Sequence, residues 1–73
     1  MNVLFNAKKL QSERKQLELT QASLAEKADT SERYIRSLET SEKVNPSAIL
    51  VFRLSKILRL TMEDLMTVKH EDS

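Results

Sequence analysis

The sequence predicts an all-α fold, five short helices packed as one small domain. Three observations carry that prediction. Glycine is absent and proline occurs once, at Pro46. No stretch alternates apolar and polar residues long enough to make a strand. Apolar side chains instead recur three and four residues apart, the spacing of a helix face packed on a core.

The first helix is predicted from Phe5 to Leu17, with Phe5, Leu10, Leu17 and the aliphatic stem of Arg14 on its core side. Thr20 caps a second helix, Gln21 to Ala28, in which Leu24 and Ala25 face inward and small Ala22, Ala25 and Ala28 admit a close neighbour. Asp29 and Thr30 form a polar turn, and Ser31 caps a third helix that ends at Thr40, with Glu32 in its first turn. Ile35 and Leu38 anchor this helix to the core. The connection from Ser41 to Pro46 is polar apart from Val44, and Ser47 caps a fourth helix, Ala48 to Leu58. Ala48, Val51, Leu54, Ser55 and Leu58 make its core stripe, which leaves Ile49, Leu50, Phe52 and Ile57 flanking it. Thr61 caps a fifth helix, Met62 to Met66, with Glu63 and Asp64 where acids suit the helix dipole. Residues 1–66 form the expected domain and 67–73 a flexible tail.

Composition removes several function classes. Seventy-three residues support one domain with a small core. Without cysteine there is no disulfide and no thiolate metal site. The single histidine, His70, sits among acids near the end. No Ser-His-Asp set, Gly-rich phosphate loop or metal-ligand cluster is present, so neither catalysis nor a cofactor is expected. The longest apolar run, Ala48 to Phe52, is too short to span a bilayer, and no signal-peptide pattern opens the chain; a cytoplasmic protein is expected. The net charge is only +1, but it is unevenly placed: residues 1–62 hold 11 Lys/Arg against 7 Asp/Glu, and the last eleven hold one against four.

Thr20 to Glu39 is the stretch around which the chain is organised. Two short helices joined by a two-residue turn suit a helix-turn-helix, in which the second helix is held out to enter a DNA major groove. Arg14, Leu19-Thr20-Gln21-Ala22, Leu24-Ala25, Ala28, Ser31, Ile35 and Ser37-Leu38-Glu39, followed by Asn45-Pro46-Ser47 and the Leu54, Leu58, Leu60 run, resemble the phage-repressor/Cro-type helix-turn-helix family, also called the XRE family. The resemblance covers residues 6 to 66 without a gap. It implies a compact lambda-repressor-like domain that binds double-stranded DNA as a transcription regulator. The compact format is similar to small phage repressors and to restriction-modification controllers.

On the third helix, Ser31, Glu32, Arg33, Arg36 and Ser37 fall on sides not used for anchoring and are the candidates for groove contacts. Arginine can donate two hydrogen bonds to guanine, and Arg33 lies nearest the helix N-terminus, which makes it the strongest base reader. Arg36 suits a base or a phosphate. Glu32 either orients an arginine, accepts from a cytosine amine, or only complements the helix N-terminus. Tyr34 reaches a phosphate, stacks on a thymine methyl, or packs half-buried with its hydroxyl at the edge. The resemblance implies that Gln21 touches a phosphate and braces the recognition helix, that Lys43 and Asn45 belong to a backbone-contact segment, and that Arg14 and Glu39 form a structural ion pair.

A homodimer on a palindromic operator is expected, because one such domain offers few contacts. Its interface is expected on Ile49, Phe52, Met62, Met66 and Val68. No small-molecule effector, metal or membrane partner is expected. Two other readings stay open: an antitoxin of a toxin–antitoxin pair, using the surplus apolar residues of the fourth helix, and a helical protein-interaction module without DNA binding.

Overall fold

The computed structural model describes residues 2–40 and 45–69, with side chains described from Leu4 to Thr40 and from Asn45 to Met66. In chain order these residues form β1 (Asn2–Phe5), α1 (Ala7–Gln16), α2 (Gln21–Lys27), α3 (Glu32–Thr40), α4 (Ala48–Leu58), a single 3-10 turn (Glu63–Leu65) and β2 (Met66–Lys69). Leu10, Leu24, Ala25, Ala28, Ile35, Leu38, Leu50, Val51, Leu54, Leu58 and Leu65 make one buried cluster to which every helix contributes.

Each helix begins on a side-chain cap that accepts one of its free backbone N–H groups. Asn6 caps α1 by accepting from Lys9 N, so that helix starts two residues later than predicted. Thr20 caps α2 in a reciprocal box with Ser23. Ser31 accepts from Tyr34 N ahead of α3, and Ser47 accepts from Leu50 N ahead of α4. The ends are uniform too. Glu18, Asp29 and Arg59 take left-handed backbone angles, φ 57°, 58° and 58°. Beyond each, the next N–H reaches back to the carbonyl five residues earlier: Leu19 to Arg14, Thr30 to Ala25, Leu60 to Ser55. Helices α1, α2 and α4 therefore share the closing motif that glycine usually serves, built in a chain with none.

Five expectations change. The predicted fifth helix is only a 3-10 turn, because Met66 is already extended. Thr61 and Asp64 cap this turn reciprocally, at 2.9 and 3.1 Å. The chain carries strands: β1 and β2 pair antiparallel, Asn2 opposite Lys69 and Phe5 opposite Met66. The expected tail therefore starts as a strand, and residues 70–73, His70 among them, lie outside the described residues. Leu17 is 41% exposed rather than part of the core, since α1 has ended before it. On α4, Leu50 rather than Ala48 completes the buried face.

Candidate nucleic-acid interface

Helix α3 is strongly two-faced. Ile35 and Leu38 are fully buried, while Ser31, Glu32, Arg33 and Arg36 are exposed. Their exposure follows from the helical period once Ile35 and Leu38 are fixed inward. Glu32 and Arg36 are one turn apart and pair at 3.1 Å. Arg33 makes no ion pair among the described residues, so its guanidinium is free to donate. Ser37 is half-buried and its hydroxyl bonds back to the Arg33 carbonyl at 3.1 Å. Tyr34 is half-buried and packs against the core. Asn45 is exposed, next to buried Pro46, and Lys43 lies outside the described residues.

A polar clamp fixes where α3 sits. Arg14 donates from Nε to Glu39 Oε2 at 2.6 Å and from its second amino group to Oε1 at 3.1 Å. Its remaining amino group donates to the Leu19 carbonyl at 2.7 Å. Gln21 Nε2 donates to the same Glu39 Oε1 at 3.1 Å. Three segments therefore converge on one carboxylate whose side chain is screened from water. Burial alone would push the Glu39 carboxyl up. Hydrogen bonds from Arg14 and Gln21 and the charge of Arg14 outweigh it and hold the group below its usual range. Gln21 thus has an observed partner inside the protein. Sequence reasoning missed the Leu19 carbonyl. A backbone acceptor leaves no residue-type signal.

Of the residues expected to form a dimer face, Ile49 is 65% exposed, Phe52 50% and Met62 37%. Met66 instead packs partly against the core of its own chain, and the side chain of Val68 lies outside those described. Lys56 stands over the Phe52 ring, 5.3 Å from its centroid. Among the described residues no group of His, Asp or Glu could hold a metal ion, and no helix is long and apolar enough to cross a membrane.

A family model described as helix-turn-helix matches residues 10–65, from Leu10 within α1 to the end of the 3-10 turn. The chain belongs to the XRE-type helix-turn-helix family. It is a DNA-binding transcription regulator. No curated protein sequence matches this helix-turn-helix chain. Solved structures do. The DNA-binding domain of SinR, the master biofilm regulator of Bacillus subtilis, is 28% identical with a TM-score of 0.75; the match covers 93% of this chain and 99% of that one. The crystal structure of SinR in complex with DNA gives 27% identity and the same TM-score, over 81% and 94% of the two chains. The restriction-modification controller C.AhdI of Aeromonas hydrophila matches at 22% identity and TM-score 0.73, over 81% and 88%. An iron-loaded HppE chain matches at 20% identity and TM-score 0.74, over 84% of this chain and 34% of its own. At those two identities the likeness is one of fold alone.

Proposed function

We propose that this helix-turn-helix protein binds a palindromic operator as a homodimer, with α3 of each copy in a major groove. The observation that carries the reading is the division of α3: one face buried through Ile35 and Leu38, the other offering Arg33 and Arg36 to solvent. Arg33 reads a guanine, and Arg36, tethered by Glu32, serves a neighbouring base or phosphate. Ser31, Ser37, Tyr34, Lys43 and Asn45 contribute positioning contacts. Gln21 joins the phosphate backbone to the Glu39 clamp, so that docking on the duplex and the setting of α3 are linked. The exposed apolar side chains of Ile49, Phe52 and Met62 supply the face for a second copy. Two-fold symmetry then sets the half-sites about 34 Å apart.

Selection from a random duplex pool at two salt concentrations tests this. The expected result is an enriched palindrome and a steep salt dependence. No enriched motif even at low salt overturns the reading. A clean monomer in sedimentation, with and without the selected duplex, overturns the dimer.

A further inference from the structure

We propose that this protein has a second docking site, a groove between the α1–α2 connection and the C-terminal end of α4, that takes an acidic amphipathic segment of a partner protein. The groove is lined by Leu17, Leu19, Lys27, Ile57 and Arg59 and has a volume of about 470 Å³. Its floor is aliphatic. Leu17 is 41% exposed although it belongs to no proposed DNA or dimer contact, and Leu19 and Ile57 are only half-buried.

The walls decide the chemistry of the occupant. Lys27 and Arg59 both line the groove, and among the described residues no carboxylate does. Neither cation forms an ion pair among the described residues. Dipole compensation accounts for Lys27 at the end of α2, but α4 already has Lys56 in its last turn. Arg59 is therefore a surplus cation. It also occupies a left-handed backbone position, φ 58°, where a side chain with a Cβ is disfavoured and glycine would be at ease. The left-handed position itself is the helix-closing one that Glu18 and Asp29 also take; what sets Arg59 apart is a cation placed there beside exposed leucine, lining the same groove as Lys27.

The shape selects between kinds of ligand. A small molecule is normally held with most of its surface buried, and this groove is open to solvent. A helix laid in a groove buries one apolar stripe and leaves its charged flanks at the rim. Aliphatic residues one turn apart would cover Leu17, Leu19 and Ile57, with Asp or Glu on either side meeting Lys27 and Arg59. None of the lining residues belongs to α3, so a partner and DNA can be held together.

The test is selection of a displayed random peptide library against the full chain. Enriched peptides are expected to combine aliphatic residues at helical spacing with Asp and Glu. Their affinity should fall about tenfold in Lys27→Gln or Arg59→Gln and fall again with added salt. Leu17→Ser, at an exposed position that folding tolerates, should lose them as well. Duplex binding by the same variants reports the DNA site separately. The proposal is overturned by no enrichment, by enriched peptides without acids, or by peptides that bind all three variants as they bind the parent. Self-association that Leu17→Ser abolishes would also overturn it, by making a second copy the occupant.

Discussion

Arg14 and Glu39 lie twenty-five positions apart in the chain and meet in two parallel hydrogen bonds, the shorter 2.6 Å. That contact joins α1 to the far end of α3, so the pose of the recognition helix is held by a charge pair as well as by packing. Replacing Glu39 with Ala should cost about 3–5 kcal/mol, because Arg14 is left charged in a screened site with no carboxylate and only the Leu19 carbonyl to accept from it. Urea denaturation measures this; an unchanged midpoint would show the pair to be dispensable.

The same carboxylate sets an acid limit. Its folded pKa lies below the ordinary 4.5, so its contribution is complete at neutral pH and is lost as pH falls through the folded value. Asp64 is also lowered, by the Thr61 backbone N–H first, and acts in the same direction. Stability should stay level from neutral pH down to about 5 and fall below that. Glu39→Gln should flatten the fall when unfolding midpoints are compared across pH.

Arg33 on α3 and Lys43 in the connection after it should separate by effect. Arg33→Ala should relax one base position and cost about 1–3 kcal/mol on the preferred duplex. Lys43→Ala should weaken all duplexes alike and lower the salt slope by about one. Glu32→Gln should cost the fold only about 0.3–0.5 kcal/mol, as an exposed pair one turn apart does, yet change discrimination by releasing Arg36. Equal sequence preference in Glu32→Gln and the parent would count against a tether.

Arg59→Gly should stabilise the fold by about 0.5–1 kcal/mol, since glycine removes the left-handed penalty and returns part of the gain as unfolded-chain entropy. The rise in thermal midpoint should accompany loss of acidic peptide binding. A lower midpoint would mean that the Arg59 side chain contributes packing that outweighs its backbone cost.

What the sequence made legible was local. Thr20, Ser31 and Ser47 announce their helices by residue type, and Ile35 and Leu38 announce the buried face of α3 by period. The helix ends were harder to place. In a chain without glycine, Glu18, Asp29 and Arg59 do a job that their residue types do not advertise. The β-pairing was invisible for another reason. Asn2–Phe5 and Met66–Lys69 are too short to show a period, and each is extended because of a partner at the opposite end of the chain. The clamp was legible in Arg14 and Glu39 through the family resemblance, but its backbone acceptor at Leu19 was not.

The pairing of β1 with β2 also has a kinetic side. The two strands close a loop that encloses nearly the whole chain, and Asn6 N seals its base on the Leu65 carbonyl. Closing so long a loop is entropically unfavourable until the helices have already brought the ends together. The ribbon should therefore form last and open first. Its amides should exchange with solvent by local fraying, while those of Leu24, Ile35 and Leu54 exchange only through global unfolding. A fusion at either terminus would then loosen the ribbon without reaching the helices that carry α3.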